Sequence, residues 1–134
     1  MDINDNNNNK RILIIDDDED ITILFKAFLE CNGYKVEAFT DPFNAILDFR
    51  KNKYDLIILD LRIPRIDGIA IYKKLKEIDE QVIICLTTAD HSYLERLQKG
   101  IIDIDRIVLY KPVFLKDLKN KIDSLLGNDT MECQ

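Results

Sequence analysis

Four apolar runs in this chain end in residues that can do chemistry. ILII (12–15) runs into Asp16 and Asp17, the first of five consecutive acidic residues, and LIIL (56–59) ends at Asp60. VIICL (82–86) ends in Thr87 and Thr88, and IVLY (107–110) is followed by Lys111 and Pro112. Three carboxylates brought together either take up protons or need a cation, because like charges at short range disfavour joint ionisation. An oxygen-only cluster with room for water suits Mg²⁺ far better than zinc or copper. With an ammonium and a hydroxyl added, such a set can hold a phosphoryl group on a carboxylate oxygen. Asp60 would be the nucleophile, Mg²⁺ and Lys111 would neutralise phosphoryl charge, and a threonine hydroxyl would bond an equatorial oxygen. Whether Thr87 or Thr88 does so stays open, since a one-residue shift turns a strand side chain to the other face.

These residues meet only if the runs are neighbouring strands. After a polar Asn/Asp-rich tail over residues 1–9, β-type runs alternate with amphipathic ones. A strand over 12–15 leads to a helix over 21–31, where Ile21, Leu24, Phe25, Phe28 and Leu29 recur at helical spacing, and Gly33 stops it. YKVEAF (34–39) alternates as a half-buried strand, and Asp41 with Pro42 gives an N-cap and a first-turn proline for a helix to Phe49. A strand over 54–60, a loop with Pro64, and a helix opened by Asp67 and Gly68 and running to Ile78 follow. The remainder reads as a strand over 82–87, a helix near 89–99, a strand over 107–110, a helix over 115–126 ended by Gly127, and a short tail over 128–134.

Five strands alternating with five helices predict an α/β domain over residues 10–127, a doubly wound parallel sheet with helices on both faces. Strands 1, 3 and 4 are unbroken aliphatic runs, as central strands covered on both faces must be, whereas strand 2 alternates like an edge. The predicted order is 2-1-3-4-5. In such sheets the ligand crevice opens at the carboxyl ends of the strands where the order reverses, here between strands 1 and 3. Asp16, Asp17 and Asp60 end those two strands.

With that placement, ILIIDDDED, YDLIILDLRIPRIDG, LTTA and YKP together resemble the receiver domain of two-component response regulators over about residues 11–126. The resemblance implies a flavodoxin-like fold with Asp60 as phospho-acceptor. It implies that Asp17 holds Mg²⁺ directly and Asp16 largely through water, with the backbone carbonyl of Arg62 as a further ligand. It also implies Lys111 as the phosphate-binding lysine, in a Lys-Pro pair that the family often makes with a cis bond. Thr88 followed by Ala89 reproduces the family's Thr-Ala pair, which favours Thr88. Two departures stand out: Val108 occupies the position of the family's switch aromatic, and Gly100 lies further ahead of the lysine than is common.

The implied partners are a sensor histidine kinase or phosphotransfer protein and a downstream protein of unknown identity. A formal charge of −6 with no basic stripe argues against a nucleic-acid surface. No apolar stretch reaches membrane-spanning length and the N-terminus lacks a signal-peptide core, so the expectation is a cytoplasmic protein. No DNA-binding or catalytic segment is evident, which motivates a stand-alone unit. Cys31, Cys85 and Cys133 form no metal or disulfide pattern and read as packing or surface thiols. Asp18, Glu19 and Asp20 suit a helix start, and His91 reads as a surface residue. Arg62 and Arg65 flank the crevice. Two alternatives remain: a pseudo-receiver acting as a phosphorylation-independent interaction module, and an aspartate-nucleophile phosphatase. The latter wants an acid two positions after its nucleophile, where Arg62 stands.

Overall fold

The computed structural model describes residues 10–90, Ser92 and residues 104–127. Both predicted tails, His91, Gly100 and most of the helix expected near 89–99 lie outside the described residues. The elements are β1 (Arg11–Ile15), α1 (Glu19–Cys31), β2 (Lys35–Phe39), α2 (Pro42–Asp48), β3 (Leu56–Asp60), α3 (Gly68–Ile78), β4 (Ile83–Thr88), α4 (Ile104–Ile107), β5 (Val108–Tyr110) and α5 (Leu115–Leu126). The strands form one parallel sheet in the predicted order, β2-β1-β3-β4-β5. Among the described residues, no helix is long and apolar enough to cross a membrane.

Local chemistry sets the element ends. The Asp18 carboxylate accepts from the backbone N–H groups of Asp20 and Ile21, so the acidic run after β1 becomes the cap and first turn of α1. Asp41 accepts from Phe43 N and Asp67 from Ile69 N in the same way. Gly127 closes α5 in the left-handed region at φ 69°. The single turn α4 was not foreseen, since four residues carry no periodic signal, and it moves the start of β5 from Ile107 to Val108.

Side-chain alternation along the central strands feeds two cores. Leu13, Ile15, Ile57, Leu59, Ile84 and Leu86 pack with α2 and α3, while Ile12, Ile14, Leu56, Ile58 and Cys85 pack with α1 and α5. The second core encloses a polar group: Tyr34 O–H donates to Asp123 Oδ1, and Lys119 Nζ pairs with Asp123 Oδ2 at 2.6 Å, joining the start of β2 to α5. Cys85 is a buried free thiol whose pKa burial pushes up to about 12. Cys31 is disulfide-bonded, which corrects the expectation of an unpaired thiol. Cysteine spacing alone does not reveal pairing.

Candidate functional site

The carboxyl ends of β1, β3, β4 and β5 meet as the sequence predicts. Asp60 is the last residue of β3 and pairs in register with Thr87 of β4, while Asp16 and Asp17 continue from β1. Carboxylate oxygens of Asp16, Asp17 and Asp60 all lie within 4.8 Å of one another. Asp16 and Asp60 are buried and Asp17 is exposed, so the cluster has two anchored walls and one open side.

Lys111 reaches the cluster from the end of β5. Its Nζ donates to Asp60 Oδ2 at 2.9 Å and to Asp16 Oδ2 at 3.3 Å. Lys111 N donates to Thr88 O at 2.8 Å, and the Lys111–Pro112 bond is cis, as the resemblance implies. The remaining carboxylate oxygens are held by backbone: Asp18 N donates to Asp16 Oδ1 and Arg62 N to Asp60 Oδ1. Asp16 and Asp60 are thus each aimed by a loop amide on one oxygen and by Lys111 on the other.

The electrostatics reflect excess negative charge. Desolvation by burial raises the Asp16 pKa to about 6; the Asp60 charge adds to this, against the Asp18 amide and Lys111. Burial works against the Lys111 ammonium, yet its hydrogen bond to Asp60 and the charges of Asp60 and Asp16 outweigh that and raise its pKa. Three carboxylates around one ammonium are short of positive charge, and their all-oxygen donor set with an exposed member fits a hard cation that keeps its own waters.

Both threonines are buried. Strand alternation turns Thr87 to the α1–α5 face with Asp60 and Thr88 to the other face, at the point where β4 ends. The Thr88 hydroxyl accepts from Asp90 N at 3.1 Å, which leaves its own O–H to donate. Val108 is buried against the α2–α3 core, whereas Tyr110 is 39% exposed.

Three features at the site escaped the sequence reading. Arg62 Nη1 donates to Asp90 Oδ2 at 2.7 Å, joining the loops after β3 and β4. The available signal was opposite charges two positions beyond Asp60 and Thr88. Gly68 is required by close approach: a Cβ there would lie 2.6 Å from Leu61 O, so only glycine lets α3 start against the chain that leaves Asp60. Arg65, in the same loop, takes φ 68°, a left-handed conformation costly for a side chain-bearing residue.

The model of the response regulator receiver domain family matches residues 12–123. The chain is 29% identical over 108 residues to the transcriptional regulatory protein RprY of Bacteroides fragilis (strain YCH46), covering 81% of this chain and 45% of that one. It is 34% identical over 103 residues to the sensor protein EvgS of Escherichia coli (strain K12), covering 77% of this chain and 8% of that one. It therefore spans less than half the length of these relatives. A two-component response regulator structure from Clostridium difficile superposes with a TM-score of 0.74 at 33% identity, covering 88% of this chain and 96% of that one.

Proposed function

Because the chain belongs to the response regulator receiver domain family, we propose that it accepts a phosphoryl group on Asp60 in a Mg²⁺-dependent reaction and signals through phosphorylation-dependent partner binding. The observation that carries this reading is Lys111 Nζ seated between Asp60 and Asp16, in a cluster of three carboxylates that converge on one point. A merely structural ion pair needs one carboxylate for one ammonium. The surplus here makes sense as a cation site beside a nucleophile.

In the reaction, an Asp60 oxygen attacks phosphorus and the new O–P bond replaces the donor's bond. With a phosphohistidine donor the P–N electron pair returns to the imidazole, which takes up a proton; with acetyl phosphate, acetate leaves. Asp16, Asp17, Asp60 and the Arg62 backbone carbonyl are the groups that would hold Mg²⁺. The ion supplies positive charge against the phosphoryl oxygens. Lys111 is already on Asp60 and shifts to the transferred group. Thr87 shares the sheet face of Asp60, but Thr88 ends β4 and is tied to Lys111 N through its carbonyl, and in this reading its hydroxyl donates to an equatorial oxygen from that strand end. Water attack on phosphorus later breaks the same O–P bond, releasing inorganic phosphate and regenerating the Asp60 carboxylate. The new charge on Asp60 shifts the domain between two conformations with different partner affinity.

A histidine kinase or phosphotransfer protein is the donor in this reading, and the site of action is the cytoplasm. The phosphatase alternative loses support, since the position where that chemistry needs an acid holds Arg62, engaged by Asp90. Incubation with Mg²⁺ and acetyl phosphate is expected to add one phosphoryl mass to the wild-type protein and none to Asp60→Asn. Equal labelling of the variant would overturn the assignment.

A further inference from the structure

Arg62 and Asp90 face each other from the ends of neighbouring strands. Arg62 lies two residues beyond Asp60 at the end of β3, and Asp90 two residues beyond Thr88 at the end of β4. The strands are in register at Asp60 and Thr87, and the ion pair at 2.7 Å spans the gap where they stop. Each end is tied to a site residue: Arg62 N donates to Asp60 Oδ1 at 3.0 Å, and Asp90 N to Thr88 Oγ1 at 3.1 Å. The two side chains are 59% and 30% exposed, and an ion pair so open to water is weak and changes partner readily.

A phosphoryl group on Asp60 offers that guanidinium a stronger partner. It carries more charge than one carboxylate, and its oxygens match the planar two-donor fork of arginine. We propose that Arg62 is a second phosphoryl-binding cation opposite Lys111, held at rest by Asp90 and handed over when Asp60 is phosphorylated. The proposal rests on the Asp60 reading above. It also gives the handover a route outward, because Asp90 Oδ1 accepts from both Ser92 N and Ser92 Oγ. Losing Arg62 takes a cation away from the carboxylate that accepts from Ser92. The presence of Val108 in place of an aromatic leaves this loop-to-loop contact as a separate means of coupling.

The test is the affinity of the full chain for beryllofluoride, a phosphoryl mimic, by calorimetry in saturating Mg²⁺. If wild-type protein neither binds it nor labels with acetyl phosphate, the Asp60 reading itself is wrong. Given wild-type binding, Arg62→Met is expected to weaken affinity about tenfold, the value of one charge-assisted contact. Arg62→Lys, which keeps the charge without the fork, falls between. Asp90→Asn is expected to strengthen affinity about threefold, since the competing charge is gone while the Asn carbonyl still accepts from Ser92. The double variant should match Arg62→Met alone, because the proposed effect of Asp90 on affinity runs through Arg62. A merely structural bridge would move both single variants the same way. Unchanged affinity in Arg62→Met, or unchanged or weaker affinity in Asp90→Asn, overturns the proposal.

Discussion

Two of the charged clusters among the described residues are built on opposite principles. In the α1–α5 core, Lys119 meets Asp123 one to one and Tyr34 caps the second carboxylate oxygen, so each ion has its partner. At the carboxyl ends of the strands, three carboxylates converge and one lysine, Lys111, bonds two of them. The first cluster is closed to water, whereas the second keeps Asp17 exposed and Lys111 partly so, which leaves it an open side. A buried ion pair must be matched and hydrogen-bonded to be tolerated, and a site left short of one partner stays responsive to whatever supplies it. The closed cluster ties elements together, and the open one is poised for a cation and a phosphoryl group.

The comparison breaks most visibly at its closed end. Asp123→Ala strands the buried Lys119 ammonium and leaves the Tyr34 hydroxyl without this acceptor, and the expected loss is about 3–5 kcal/mol in urea unfolding. Asp60→Asn removes charge from an overcharged cluster and is expected to cost far less in the same assay. Similar losses in the two variants would show that both clusters serve stability alike.

The two clusters also differ in how far they could be read from sequence. Asp16, Asp17, Asp60 and Lys111 were legible because each ends an aliphatic run, and an α/β sheet brings such ends to one edge. The caps at Asp18, Asp41 and Asp67 were legible because capping is local chemistry. Lys119 and Asp123 look like an ordinary solvated i,i+4 pair until Tyr34, 89 positions away, turns them inward. Asp90 finds Arg62 across 28 positions through loop paths that no periodicity encodes. Gly68 reads as a turn residue, while its actual constraint is the backbone of Leu61 packed against it. Thr87 and Thr88 stay distinguishable only through register and hydrogen bonding, both of them tertiary facts.

An open cluster should also respond to its missing partner. Mg²⁺ at a hundredfold excess over its dissociation constant is expected to stabilise the wild-type fold by about 2.7 kcal/mol through mass action. The same addition should do little for Asp17→Asn or Asp60→Asn, and should leave the deficit of Asp123→Ala unrepaired. Thermal melts with and without Mg²⁺ measure each. A wild-type melt indifferent to Mg²⁺ would remove the cation from the comparison.

The effect of pH is the most specific to the surplus of charge. Asp16 has a pKa of about 6 in the fold against 3.8 unfolded, so between these values the folded protein binds more protons than the unfolded chain. Stability must then fall as pH rises from about 4 to 6, the reverse of what a carboxylate in a matched pair produces. Above pH 6 the penalty is fully present, and below 3.8 it is absent. Asp16→Asn removes the ionisation, so its stability relative to wild type should climb across that window by up to about 3 kcal/mol, the Lys111 contact being already contained in the Asp16 pKa of about 6. The same proton competes with Mg²⁺. Apparent Mg²⁺ affinity should therefore tighten by up to about tenfold per pH unit below 6 and level off above it, as a ligand that must deprotonate requires. A wild-type stability profile that rises through pH 4–6 in step with Asp16→Asn would mean that Lys111 already balances the site, leaving no deficit for a cation to fill.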